Sequence, residues 1–242
     1  MTGISNSEIK LIRSLKAKKA RDAENLFVVE GEKLVAEALA SDFEVVKTFR
    51  REEIGEETMS RITLLDSPSP VLALVRKKEW KIPETAKGLC LALDSVRDPG
   101  NLGTILRISD WFGIDAVFAS RDTVDVYNPK TVQSTMGALF RKPLIYCDIP
   151  ELCRSFASKG GKVYGTFLHG EDIYTSPLDE SGLIVMGNEA NGISPEVARS
   201  VTDILTIPSF GACGAESLNV AVATAVTVAE FRRRAHINGI SK

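Results

Sequence analysis

The stretch Leu89-Cys90-Leu91-Ala92-Leu93-Asp94-Ser95-Val96-Arg97-Asp98-Pro99-Gly100-Asn101-Leu102-Gly103-Thr104-Ile105-Leu106-Arg107 decides the fold. Its five apolar leading residues read as a buried strand, Pro99-Gly100 supplies a tight turn, Asn101 is placed to cap a helix, and Leu102–Phe112 carries helical spacing. The same strand-then-helix texture continues downstream. Ala116–Ala119, Val163–Phe167, Leu183–Met186 and Ile204–Ile207 are strand candidates, and Lys130–Leu139, Pro150–Lys159, Pro195–Ser200 and Ser217–Arg234 are helix candidates. That alternation predicts α/β architecture around a mainly parallel sheet. Between Asn219 and Glu230 the last helix has almost no polar face, so it is expected to be buried all round, by its own domain or by a partner subunit.

Upstream the texture differs. The polar, proline-bearing run Lys77–Gly88 is the clearest boundary, and it divides the chain into 1–80, a linker at 81–88 and 89–242. In the first part Ser7 is placed as the cap of a basic helix through about Ala20. Leu26–Val29, Phe43–Phe49 and Ile62–Leu65 are strand candidates and Glu32–Leu39 a helix, which together describe a small α+β module. With this boundary, a cut before Lys81 is expected to leave the second part able to bind its ligand.

With 242 residues, 44% of them hydrophobic and 26% charged, the chain can bury a sizeable core. No apolar run approaches the ~20 residues of a membrane-spanning helix, and the polar amino terminus lacks the apolar core of a secretory signal, so a cytoplasmic protein is expected. Cys90, Cys147, Cys153 and Cys213 are scattered and read as reduced, mostly buried thiols, and the two histidines, His169 and His236, have no neighbours at metal-site spacing. No metal is expected. The net charge of −2 conceals an uneven distribution: Lys10, Arg13, Lys16, Lys18, Lys19 and Arg21 face a single Glu8, and Arg76-Lys77-Lys78 and Arg232-Arg233-Arg234 form further runs. Each run is as readily a solvated face as a contact for RNA phosphates.

Three segments at strand ends gather residues that a packed core would not select. In the first, Gly103 and Arg107 share a helix face. In the second, the strand Leu183–Met186 runs straight into Gly187-Asn188-Glu189 and a turn at Asn191-Gly192; ligands of open α/β sheets collect at such carboxyl ends. Glu189 there either meets a ligand or fixes its loop through backbone amides. In the third, Ile207-Pro208 leads through a glycine-bearing loop to Ser217-Leu218-Asn219, where Ser217 is expected to cap the final helix. Neither G-x-G-x-x-G nor G-x-x-x-x-G-K-[ST] is present, so neither phosphate-binding fingerprint is met.

In this order the three segments, Asn101-x-Gly103-x-x-x-Arg107, Gly187-Asn188-Glu189-x-x-Gly192, and Ile207-Pro208 with Ser217-Leu218-Asn219-Val220, resemble the motifs of the SpoU/TrmH branch of the SPOUT superfamily. Val126–Phe140 is similar to the same family. Lys19-x-Arg21 and Phe27–Gly31 resemble the L30e-like RNA-binding module often joined to it. One departure is the loop between Pro208 and Ser217, which carries Gly211 and Gly214 and is about two residues longer than the common family form.

The resemblance implies a parallel-sheet domain with a C-terminal trefoil knot, and S-adenosyl-L-methionine held by Gly187, Ile207 and Leu218. It further implies methyl transfer to a ribose 2′-hydroxyl of structured ribosomal or transfer RNA, with Arg107, Asn101, Glu189, Ser217 and Asn219 as the catalytic set. RNA capture falls to Lys10, Arg13, Lys16, Lys18, Lys19 and Arg21, and the assembly is a homodimer. A guanidinium stays protonated below a pKa of about 12, so Arg107 is better suited to clamping phosphate and oxyanion than to removing a proton. Methylation of a base nitrogen and RNA binding without catalysis are the alternatives.

Overall fold

The computed structural model describes residues 4–81, 88–211 and 216–240. The first elements are α1 (Asn6–Ser14), α2 (Lys18–Glu24), β1 (Leu26–Glu30), α3 (Glu32–Ala40), β2 (Val45–Arg50), α4 (Arg51–Ile54), α5 (Glu56–Ile62) and β3 (Val71–Arg76). There follow β4 (Leu89–Leu93), α6 (Pro99–Trp111), β5 (Val117–Ala119), α7 (Pro129–Thr135), a 3-10 turn at Ala138–Phe140 and β6 (Leu144–Tyr146). The chain ends with α8 (Ile149–Ser158), β7 (Val163–Asp172), β8 (Gly182–Met186), α9 (Pro195–Ala198), β9 (Asp203–Thr206) and α10 (Val220–Ile240).

Two compact units result: Met1–Glu79 with Asp125–Arg141, and Trp80–Val124 with Lys142–Lys242. The expected border near residue 80 is therefore one of three crossings, because α7 and the turn after it, between β5 and β6 in sequence, belong to the first unit. Most of the expected linker, 82–87, lies outside the described residues.

The first unit is built on an antiparallel sheet of order β1-β3-β2. Strands β1 and β3 are apolar almost end to end because helices cover both faces, whereas β2, with Lys47, Thr48 and Arg50, is largely exposed. Leu26, Val28, Leu72 and Leu74 pack with Ile9, Ile12, Leu15, Met59 and Ile62 of α1 and α5, while Phe27, on the alternate face, stacks with Phe43 and Tyr127. The expected strand at Ile62–Leu65 is instead the end of α5 and a loop, and the strand beside β1 is Val71–Arg76. Alternation gives no help in a strand buried on both faces, which is why Val71–Arg76 does not stand out in the sequence. The single basic helix is two, broken at Leu15–Ala17, and it is capped by Ser5, whose hydroxyl accepts from the Glu8 N–H while Glu8 reaches back to the Ser5 N–H.

The second unit holds a six-stranded sheet of order β6-β5-β4-β8-β7-β9 in which every pairing is parallel. Cys90, Ala92, Phe118, Val163, Leu183 and Val185 pack from one face against Ile149, Cys153 and Val197 of α8 and α9. Burial raises the thiols of Cys90 and Cys147 to about 11 and that of Cys153 to about 12, so the three described cysteines are unreactive thiols, whereas Cys213 lies outside the described residues. No helix among the described residues is long and apolar enough to cross a membrane. α10 packs on α6, but the chain does not bury it all round. Val220, Thr224, Thr227, Val228 and Phe231 are buried, whereas Val222, Ala225, Val226 and Ala229, which share the opposite face, stay part-exposed.

Candidate active site

Strand order reverses between β4 and β8: β5 and β6 lie beyond one, β7 and β9 beyond the other. Leu93 and Met186 are paired, so both strands end level and their following loops leave side by side. This is where open α/β sheets place their ligands.

The loop after β8 is closed by reciprocal backbone bonds between Asn188 and Gly192, each N–H donating to the other's carbonyl at 2.9 and 3.0 Å. A Cβ on Gly187 would lie 2.2 Å from the Gly192 carbonyl carbon, so no other residue fits. The Asn188 side chain donates to the Ser95 carbonyl at 2.6 Å and accepts from the N–H groups of Ala190 and Asn191. Asp94, 5% exposed, accepts from the Ser194 N–H at 2.7 Å and closes the base of the loop.

Glu189 then takes its donors from the other strand end: the N–H of Asp98 at 3.1 Å, the N–H of Arg97 at 3.2 Å and the Asn101 side-chain amide at 3.0 Å. Since the carboxylate only accepts, Asn101 must donate to it through nitrogen and keeps its oxygen free. That oxygen accepts from the Asn219 side chain at 2.9 Å, and Asn219 in turn has its own oxygen left to cap α10 by accepting from the N–H groups of Ala221 and Val222. A continuous relay, Glu189–Asn101–Asn219, thus joins all three segments. Desolvation pushes the Glu189 carboxyl upward, but the bonds from Asn101 and from the backbone N–H groups of Glu189, Asp98 and Arg97 outweigh it, and the group sits below the usual carboxylate range. With its lone pairs engaged, Glu189 is a fixed anion and a poor proton acceptor.

Arg107 lies on α6 six residues past Asn101, about 9 Å along the axis at 1.5 Å per residue. It is exposed, and its side chain makes no hydrogen bond or ion pair with any described residue. A planar donor fork left free in this way can bind a phosphate or an oxyanion. Two capping roles differ from those expected: Asp98, not Asn101, caps α6, with Pro99 at its first position, and Asn219, not Ser217, caps α10. Ser217 is exposed just before that helix. Gly187 and the half-exposed Leu218 adjoin the relay through Asn188 and Asn219, while Ile207, part-buried, follows β9 with no bond to it. Gly214 of the long loop is outside the described residues. Sequence reasoning passed over Asp94, Ser95, Asp98 and Asn188; the pairing of Asp98 with Pro99 was the available signal, as a cap followed by proline.

In the first unit the basic set separates. Lys10, Arg13, Lys16, Lys18 and Lys19 are exposed, and among the described residues only Lys18 of these five is paired, with Asp22 at 2.8 Å. Arg21 is 2% exposed and donates to the Leu15 and Lys16 carbonyls at 2.8 Å and twice to Asp125, at 2.9 and 2.6 Å. Its fork is fully used inside the protein, which removes it from the RNA-facing set. Arg232, Arg233 and Arg234 of the second unit are likewise committed, to the carbonyls of Phe112 and Gly113 and to the buried Glu230. No cluster of metal-binding side chains occurs among the described residues.

Residues 88–229 match the model of the SpoU rRNA methylase family, and residues 6–77 match that of the MRM3-like substrate binding domain. The 23S rRNA (guanosine(2553)-2′-O)-methyltransferase of Bacillus subtilis is 34% identical, over 94% of this chain and 96% of its own. Among solved structures, a TrmH-family protein from Porphyromonas gingivalis superposes with a TM-score of 0.87 at 39% identity, covering 96% of this chain and 99% of the other. An AdoMet-bound rRNA methyltransferase from Sinorhizobium meliloti gives 0.86 at 31% identity, with 96% and 98% covered.

Proposed function

Because the chain belongs to the SpoU rRNA methylase family, we propose that it transfers the methyl group of S-adenosyl-L-methionine to a ribose 2′-hydroxyl of large-subunit ribosomal RNA. The observation that carries this reading is the Glu189–Asn101–Asn219 relay, which ties the three motif segments together with Arg107 left unpaired on the same helix. The relative from Bacillus subtilis acts on a guanosine ribose of 23S rRNA, and the one from Sinorhizobium meliloti binds AdoMet. Gly187, Ile207 and Leu218 would hold the cofactor. The part-buried Ile207 and the half-exposed Leu218 leave apolar surface at the carboxyl end of the sheet, which suits adenine and methionine moieties held from the backbone. Bound there, S-adenosyl-L-methionine supplies an electrophilic methyl group.

The chain's own part is positioning. Arg107 clamps the phosphate beside the target ribose and stabilises the developing alkoxide, while Glu189 and Asn101 keep α6, and with it Arg107, in place. Ser217 and Asn219 hold the start of α10 beside Leu218. RNA capture belongs to the first unit, through Lys10, Arg13, Lys16, Lys18 and Lys19. The part-exposed stripe Val222-Ala225-Val226-Ala229 supports a homodimer through α10. The passage of the chain from the edge strand β9 back to α10 on α6 supports the trefoil knot, and a bacterial rRNA-modifying relative supports a cytoplasmic location.

Parallel incubations of 23S rRNA and of transfer RNA with methyl-labelled S-adenosyl-L-methionine and a chelator, followed by digestion to nucleosides, test the reading. Label is expected on a ribose 2′-oxygen, without added metal. Label on a base, or on transfer RNA alone, would overturn it.

A further inference from the structure

Ser95, the second residue after β4, has φ +61°, the left-handed conformation that a non-glycine residue rarely holds. All of its polar groups are held. Its N–H donates to the Ser120 hydroxyl at 2.8 Å, its hydroxyl donates to Asp122 at 2.5 Å, and its carbonyl accepts from the Asn188 side chain at 2.6 Å. Ser120, after β5, gives its own proton to the other Asp122 oxygen at 2.7 Å and accepts from Ser95 and Thr123. Asp122 is thus the common acceptor for the hydroxyls that follow two neighbouring strands. The Arg97 guanidinium, 3.3 Å away, adds only a weak exposed contact. Strain held by so many bonds is a mark of functional loops, because the surrounding structure must over-determine it.

The strained residue stands just ahead of the amides that grip Glu189. Two and three positions on, the N–H groups of Arg97 and Asp98 donate to that carboxylate. Release of Ser95 would let the loop relax toward an ordinary φ, and those two amides, and then Asn101 and Asn219, would shift with it. We propose that Asp122 is a positioning residue for methyl transfer, acting through the Ser95 hydroxyl to hold the amides of Arg97 and Asp98 on Glu189. The proposal rests on the methyltransferase reading for its kinetic consequence, though not for its geometric one. Bonds from Ser95 and then Ser120 hold the Asp122 carboxyl below the usual carboxylate range, so it is a full acceptor at neutral pH.

Three variants test it: Asp122→Ala, Asp122→Asn, which keeps one acceptor oxygen, and Ser95→Ala, which keeps the strain of the left-handed φ but loses the hydroxyl. In protein that remains folded, Asp122→Ala is expected to lower kcat by about tenfold, as a small misplacement of catalytic groups does, with KM for S-adenosylmethionine within about twofold. Asp122→Asn should recover part of the loss. Ser95→Ala should reproduce most of the Asp122→Ala loss, and the double variant should add nothing to Asp122→Ala, because the loss of the Ser95 hydroxyl is already contained in it. Hydrogen exchange at the Arg97 and Asp98 amides provides a readout independent of turnover, and it should quicken in both alanine variants. An unchanged kcat in Asp122→Ala, additive losses, or unaltered exchange would overturn the proposal. If the wild-type protein labels no ribose, the methyltransferase reading fails instead, and the exchange comparison alone decides whether Asp122 holds the loop.

Discussion

Arg107 and Arg21 are the same residue type with opposite fates, and only their surroundings separate them. Arg107 has a free fork on an exposed helix face, so Arg107→Ala should remove turnover while sparing cofactor binding, and Arg107→Lys should restore little because it cannot present two parallel donors. Calorimetry with S-adenosylmethionine beside a methylation assay checks both halves. Arg21 is buried against Asp125, 2% and 9% exposed by side chain. Arg21→Ala should therefore cost roughly 3–5 kcal/mol in urea unfolding, the range for breaking a buried pair, whereas Lys19→Ala should leave stability nearly unchanged. At Glu189 the sign follows from a carboxyl lowered in the folded protein. It contributes stability above its unfolded value, 4.5, and that contribution disappears as pH falls through the lower folded value. Wild-type protein should exceed Glu189→Gln in unfolding midpoint at neutral pH, and the gap should close only in acid.

Each loop at the site works because the element before it ends in a defined place. Gly187→Ala would force apart the backbone pair Asn188–Gly192 and should cost about 1–3 kcal/mol, the range for overpacking a filled site; thermal unfolding with and without cofactor measures it. The strands β4 and β8 and helix α6 were legible in the sequence because long apolar runs end in turn residues, and Asn101, Arg107, Glu189 and Asn219 were legible as polar groups at those ends. Cap identities were not, since Asp98 and Asn101, or Ser217 and Asn219, offer equivalent oxygens two or three residues apart and only the backbone decides between them. β6, with three residues, carried too little pattern to register. The commitment of Arg21 depends on Asp125, 104 residues away, and no local pattern reports such a pair.

At the scale of the whole molecule, neutralising Lys10, Arg13, Lys16 and Lys19 together should weaken RNA binding and flatten its dependence on salt, because fewer counterions are released. Titrations at several ionic strengths would show this, and an unchanged slope would return the cluster to a solvated face. A chain starting at Lys81 should not bind cofactor as the intact protein does. It would strand Tyr127, Val132 and Phe140, buried in the full chain, without the sheet they pack on; dye binding to exposed apolar surface and loss of cooperative melting are the expected signs. The three crossings between units also order events during synthesis. The first unit cannot close when residue 79 leaves the ribosome, because its α7 and the Asp125 that pairs with Arg21 are made only after β4, α6 and β5. Vectorial folding, in which an amino-terminal domain is finished before the next begins, is thereby closed to this chain. Its first unit must wait, partly assembled, until the parallel sheet of the second has been started.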